Sequence, residues 1–262
     1  MVIVPSSKRF AKVTDLEIPL HLGWRDLRSR YAQTKIGPWW SASSLLIIVI
    51  GISLSVGLIG GSSAIEQAPR VAVAMGIWTF VSGVLTEATD SYVSDRSILL
   101  NTTISDTAMT LRLLWRNYLV LLHNSVVMAI CLLVSGAPFL AYPKLAIVIL
   151  CFSPFLAAVT FVPAYFFSRF GVLNRDLRVF LGTAVQLNFF LTPILWDPPN
   201  SGPMHMIFLI NPAGWFIQFS KEFIFTDVFP SQLLLAMLTF GLVSYAGYVM
   251  IHKRLKPIKK YL

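Results

Sequence analysis

Few residues in this chain have the type and placement to do chemistry, and most of them fall inside otherwise apolar runs. Glu87 and Asp90 sit three apart near the end of one run, and His123-Asn124 forms a polar pair in the middle of another. Ionisable groups in apolar surroundings are costly, so each is a functional candidate by default. Glu87, Asp90 or His123 could serve as the base of a membrane-embedded glycosyl or acyl transferase. The plainer roles are a helix-end charge pair, in which Glu87 and Asp90 answer Arg96 or Arg112, and interhelical hydrogen bonding by His123-Asn124. A proton relay would need several aligned acids or histidines, and the sequence offers no such series. The other histidines, His21, His205 and His252, are dispersed, and Cys131 and Cys151 lie in apolar runs as small hydrophobes with no CxxC pattern. There is no GxxxxGK(S/T) loop for ATP phosphates, no HExxH and no Gly-x-Ser-x-Gly elbow. The expectation is a chain without catalytic residues, metal or cofactor of its own.

The elements that must position these groups follow from composition. The chain has 262 residues, 56% hydrophobic and 13% charged, with mean hydropathy +0.71. A soluble domain carries about a quarter charged residues, so an ordinary soluble protein is excluded. A hydrocarbon core about 30 Å thick takes roughly 20 apolar residues to cross as a helix. Six apolar stretches of that order stand out, at 40–61, 71–91, 113–135, 144–168, 178–196 and 231–251. The expected fold is an all-α membrane protein: a cytoplasmic segment 1–39, a six-helix transmembrane domain 40–251 and a basic cytoplasmic tail 252–262. The first 36 residues hold no continuous apolar stretch of signal-peptide length, so insertion through the first span is expected.

A net charge of +9 would suggest nucleic acid in a soluble protein. Here its distribution points to topology instead. Residues 1–39, 92–116, 169–178 and 252–262 hold seven, three, three and five Lys/Arg, whereas the alternate loops hold only Arg70, Lys144 and Lys221. Eighteen against three, alternating loop by loop, puts both termini in the cytoplasm.

Three loop segments carry patterns of their own. Leu20, Trp24, Leu27 and Tyr31 recur at helical spacing, with Arg25, Asp26, Arg28 and Arg30 on the other faces, which predicts an amphipathic helix in the cytoplasmic membrane interface. Such a helix either anchors the chain or contacts a partner, and Pro38 marks its boundary with the first span. In the cytoplasmic loop, Ile98, Leu99, Leu100 and Ile104 give a short apolar face bounded by Asp95, Arg96 and Asp106. That suits a surface helix docking into a soluble partner, or one resting on lipid. The external loop 197–230 is long and apolar, but Asn211-Pro212 interrupts it. Two short re-entrant helices joined by a turn at Asn211-Pro212-Ala213-Gly214 are expected, with an interfacial hairpin as the alternative. Aromatic rings are plentiful, and Trp39, Trp40 and Trp196 fall at span ends as belts do. The same flat rings stack on sugar faces, so Trp39, Trp40, Phe189, Phe190, Trp215 and Phe219 are candidates for a saccharide path.

Several strings together resemble the permease subunits of ABC-2-type exporters of lipid-linked polysaccharides such as O-antigens. Arg25-Asp26-Leu27-Arg28-Ser29-Arg30-Tyr31-Ala32-Gln33-Thr34-Lys35-Ile36-Gly37-Pro38-Trp39-Trp40 is similar to that family's approach to span one. Leu111-Arg112 through His123-Asn124 resembles its third span. Asn174-Arg175-Asp176-Leu177 with Gln186 and Leu191-Thr192-Pro193-Ile194 resembles its fifth, and Asn211-Pro212 its external turn. The hydroxyl-rich run Trp39-Trp40-Ser41-Ala42-Ser43-Ser44 departs from the pattern. The resemblance implies a homodimer working with two copies of a nucleotide-binding ATPase subunit, which would carry ATP and Mg. It implies that Trp24, Arg25, Asp26, Arg28, Arg30 and Tyr31 form a cytoplasmic gate helix, and that Asp95, Arg96, Ile98, Leu99, Leu100 and Ile104 couple to the ATPase. Spans one and five would line the conduit, and 202–225 would form an external gate. The expected function is export of a lipid-linked polysaccharide across a bacterial inner membrane. Rival readings are export of teichoic acid, capsule or a hydrophobic drug, a membrane-embedded transferase, and a structural scaffold.

Overall fold

A computed structural model of the chain describes residues 17–102, 104–255 and 258–260. The first sixteen residues of the expected N-terminal segment, and 256, 257, 261 and 262 of the expected tail, lie outside the described residues. Every regular element among the described residues is helical. In chain order these are α1 (Glu17–Arg30), α2 (Trp39–Gly60), α3 (Ala64–Ser94), α4 (Arg96–Asn101), α5 (Asp106–Val134), α6 (Ala141–Ile147), α7 (Ser153–Leu173), α8 (Asp176–Leu191), α9 (Pro203–Leu209), α10 (Pro212–Phe225) and α11 (Ser231–His252). A π-helical turn, Val148–Phe152, joins α6 to α7, and a 3-10 turn spans Ile258–Lys260.

Among the described residues, five helical runs are long and apolar enough to cross a membrane: α2, α3, α5, the continuous run Ala141–Leu173, and α11. The chain is a multi-pass helical membrane protein. The fifth expected span, 178–196, is shorter than its apolar stretch. Pro193 disfavours helical backbone at the residue before it, and Thr192 is extended (φ −95°, ψ 140°), so α8 stops at Leu191. Its 16 residues measure about 24 Å, less than a hydrocarbon core of about 30 Å. The second and third expected spans are conversely longer than predicted. α3 starts at Ala64, seven residues early, and α5 starts at Asp106, where the Ser105 hydroxyl accepts the Ala108 N–H at 3.2 Å and caps it.

α3 is the central helix, packed against α5, α7, α2, α10 and α8. Its contact with α7 is backbone to backbone: a Cβ at Gly171 would collide with the Thr89 carbonyl. α1 rests on α5 at Gly23, where a Cβ would come within 3.0 Å of the Arg112 carbonyl and the Trp115 ring. The buried stripe of α1 is therefore Pro19, Gly23 and Leu27, one turn apart. Leu20 and Trp24, expected on the same face as Leu27, lie beside that stripe and are exposed.

The π turn has a direct cause. Pro154 has no N–H to donate and its ring would press on the carbonyl of residue 150, so the turn before it widens. The Ser153 N–H reaches back to the Val148 carbonyl. The Ile149 carbonyl accepts instead from the Ser153 hydroxyl at 2.5 Å and from the Tyr118 hydroxyl at 3.2 Å. A backbone carbonyl in an apolar bundle needs such partners.

Because Gly171 meets backbone, which cannot swing aside, Gly171→Val forces α3 and α7 apart. The expected loss is about 2–3 kcal/mol, read as a lowered Tm of the detergent-solubilised protein. Gly51→Ala, with no atom within 4 Å of the new methyl, leaves the Tm unchanged.

Candidate functional site

At one end of the bundle the starts of α5 and α8 meet the ends of α3, α7 and α11, with α1 and α4 against them. The side chains there are tied by ions. Arg112 of α5 donates from Nε to Asp26 of α1 at 2.5 Å and from Nη1 to Asp95 at 3.1 Å. Asp95 is the hinge residue between α3 and α4. One turn along, Arg116 binds Glu87 at 2.7 Å, and Glu87 also accepts from Arg30 of α1 at 2.5 Å and from the Asn117 amide at 2.8 Å. Arg178 of α8 pairs with Asp90, and Arg169 of α7 with Asp106. Glu87 and Asp90 are thus a helix-end charge pair, answered by Arg30, Arg116 and Arg178 where the sequence suggested Arg96 or Arg112. Together Arg30, Glu87, Asp90, Asp95, Arg112 and Arg116 border a polar cavity of about 210 Å³.

Burial pushes the Asp95 carboxyl above the ordinary carboxylate range, while Arg112 pulls it the other way. An acid raised in the folded state costs stability at neutral pH, and the cost is relieved as pH falls through the raised value.

α4 is seated by a second, smaller core. Leu99 is completely buried with Tyr92 of α3, Met109 of α5 and Ile258, and Ile98 and Ile104 pack against this cluster. The Tyr92 hydroxyl donates to the Asp106 carbonyl at 2.8 Å and bonds the Thr110 hydroxyl at 2.8 Å. Leu100 is 46% exposed, and Arg96 is exposed beside it. The six residues expected to couple to a partner therefore divide. Leu99, Ile98 and Ile104 face inward, Asp95 is held by Arg112, and Leu100 and Arg96 form the outward surface. Of the expected gate residues, Asp26 and Arg30 belong to the ionic ties, Tyr31 is half-buried, and Trp24, Arg25 and Arg28 are exposed.

The six rings expected on a saccharide path are not brought together. Trp39 and Trp40 stand half-exposed at the start of α2, with Trp39 edge-on to His123 at 5.1 Å. The His123 Nδ1 is 2.7 Å from the Leu119 carbonyl. Phe219 is fully buried, stacked on Phe223 and packed against Phe152, so it is a core residue. Trp215 donates its N–H to the Phe208 carbonyl and packs on Phe240. Only Phe189 and Phe190 share a groove, an open one of about 600 Å³ between α3 and α8.

The other wall of that groove is Trp78, Thr79, Ser82 and Thr86 of α3, with Gln186 on α8. Thr79, Ser82 and Thr86 each donate to the carbonyl of a residue three or four back in α3, at 2.7–2.8 Å. Their oxygens are left as acceptors. The sequence reading missed this stripe, although hydroxyls at 79, 82 and 86 share one helical face and were there to be seen.

At the opposite end, Asn211 caps α10 by accepting the Gly214 N–H at 3.3 Å, and Pro212 follows it at the first helical position. Its amide also donates to the Thr192 hydroxyl at 2.9 Å and the Asn188 side chain at 3.2 Å, tying the α9–α10 junction to the end of α8. The turn lies at Ile210–Asn211, since Pro212, Ala213 and Gly214 are already helical. Lys221, 5% exposed, donates to Asp197 at 2.6 Å and to the Trp196 and Pro193 carbonyls. α10 packs on α3 and α11, so much of it belongs to the core.

No family model matches the chain, and no curated protein matches it.

Arg112 is shared by carboxylates from two other elements, so Arg112→Met strips Asp95 of its ion pair and leaves Asp26 with Arg116 alone, at 3.9 Å. Breaking a buried pair costs about 3–5 kcal/mol. Partial exposure of Asp26 and Asp95 reduces the expected loss to about 2–4 kcal/mol, measured as unfolding free energy in micelles. Adding Asp26→Asn and Asp95→Asn recovers part of that loss. Asp95→Asn alone removes the gain in stability on acidification.

Proposed function

We propose that this chain is the membrane-spanning permease subunit of an ATP-driven exporter of lipid-linked polysaccharide in a bacterial inner membrane. It works as a homodimer with two copies of a separate ATPase, which carry the ATP and Mg, and itself catalyses no reaction. The observation that carries this reading is the shared Arg112. A short surface helix with an exposed leucine and an amphipathic helix that borders the first span are held by the same guanidinium. A partner that displaces α4 thereby alters the hold on α1. ATP can drive transport only if the two conformations differ in their contacts with the ATPase, and α4 offers those contacts. The order and spacing of the motif strings point the same way.

In this reading α8 is a sixth, short crossing. Local thinning or tilt accommodates the mismatch, and six crossings put both termini on the Lys/Arg-rich, cytoplasmic side. α1 lies in the cytoplasmic interface with Leu20 and Trp24 towards lipid. α9 and the first turns of α10 form the external gate, held shut against α8 by Asn211. The groove between α3 and α8 offers ring faces, hydroxyl oxygens and an amide, a set suited to the alternating apolar and hydroxyl surfaces of a sugar chain. An open groove of this kind favours a polymer, whether O-antigen, capsule or teichoic acid, over a small enclosed drug. A transferase is disfavoured by the state of its bases: Glu87 is saturated by three donors, and Asp90 is paired with Arg178.

The test is Leu100→Asp in the native host. It is expected to abolish surface polymer while insertion and Tm stay normal, because Leu100 faces outward. Leu99→Asp places a charge in a closed core and is expected to cost about 3 kcal/mol of stability as well. Normal surface polymer with Leu100→Asp removes α4 from the mechanism.

A further inference from the structure

The described end of the chain returns to the ionic end of the bundle and places one side chain beneath α4. Ile258 is 1% exposed and packs with Leu99, Tyr92 and Met109, so four separate elements each contribute one residue to this small core. Its backbone N–H donates to Asp106 Oδ2 at 3.4 Å, on the carboxylate that Arg169 also holds. α4 needs such support. Six residues are far too few for a helix to be stable in water on its own, and Leu99 is the one buried residue of α4. Ile258 is followed by two lysines, Lys259 and Lys260, in a strongly basic tail. It borders the apolar groove of about 540 Å³ between α7 and α11, together with Leu255 and Phe170.

We infer that Ile258 is a positioning residue: it wedges Leu99 into place, and so sets how α4 is presented to a soluble partner. The seating of α4 stands on the contacts alone, whereas its consequence for an ATPase rests on the function proposed above. Ile258 thereby makes the docking surface depend on a residue far along the same chain. Withdrawing Ile258 opens one side of the cluster around Leu99 and Met109, and leaves the seat of α4 resting on Tyr92, Met109 and the tie of Arg112 to Asp95. The five long apolar runs do not depend on it.

Hydrogen exchange of the full-length protein in lipid nanodiscs tests the seating. Ile258→Asp is expected to speed exchange across 96–102 by about tenfold, as local opening of one small unit does, with the long helices unchanged. Ile258→Ala falls between, which keeps the test valid if the aspartate variant does not fold. Ile258→Leu restores protection, and Lys260→Ala, at an exposed site, has no effect. Unchanged exchange across 96–102 in both Ile258→Asp and Ile258→Ala overturns the inference. In the assembly with its ATPase, Ile258→Asp should weaken stimulation of ATP hydrolysis, and Ile258→Leu should rescue it. Faster exchange with fully normal stimulation also overturns it. Failure of the wild-type chain to recover any ATPase counts against the exporter reading, and the exchange result still decides the seat of α4.

Discussion

Charged side chains at the end of an apolar bundle have to find one another, and the arrangement of this protein's ionic end follows from that constraint. Arg112 cannot be left unanswered where it is buried, and no carboxylate on its own helix answers it. Asp26 and Asp95 do, from α1 and from the α3–α4 hinge. Arg116, Glu87 and Arg30 repeat the arrangement one turn along. A single buried ion pair adds little to stability, since desolvation offsets its attraction. Its larger effect is on register: only one placement of α1 against α5 satisfies both sets of charges and also fits Gly23 over the Arg112 carbonyl. The opposite end relies on two lysines, Lys144 with Asp227 and Lys221 with Asp197. The two ends are therefore held by different chemistry, arginine forks at one and lysine-to-carbonyl clamps at the other.

Between those ends, two proline-driven breaks in regular backbone are repaired by side chains. Pro154 opens a π turn, and Tyr118 and Ser153 supply the donors that the freed carbonyl lacks. Pro193 ends α8 early, and Lys221 and Asn211 bind the carbonyls and hydroxyl left behind. These repairs concentrate on α8, α10 and the α6–α7 junction. The helices that carry the ionic ties, α3 and α5, run unbroken for 31 and 29 residues.

Much of this was legible in the sequence. Long apolar stretches, the break at Asn211-Pro212 and the surface helix after Asp95 are local signals, and local signals survive folding. Partner choice was not legible. Nothing near Glu87 in sequence distinguishes Arg30 and Arg116 from Arg96 and Arg112, because pairing is set by which helix lies opposite. The aromatic candidates divide for a related reason. A ring type says that a residue can meet a sugar, but only packing says whether it is already spent on the core, as Phe219 is against Phe152 and Phe223. α1 shows the limit of periodicity. Leu20, Trp24, Leu27 and Tyr31 read as the apolar face of an interfacial helix, and that pattern gave no sign that Pro19 and Gly23 seat it, with Gly23 letting two backbones approach.

Arg112 ties Asp95, at the start of α4, to Asp26 on α1, and α1 precedes the first long helix in the chain. The proposed exporter needs a soluble ATPase to act on α4. The decisive measurement is purification of the tagged protein from its native host in mild detergent, with the eluate assayed for ATP hydrolysis and for subunit stoichiometry. The account predicts a soluble ATPase subunit at one copy per copy of this chain. Recovery of the chain alone, without ATPase activity across several mild detergents, would contradict it.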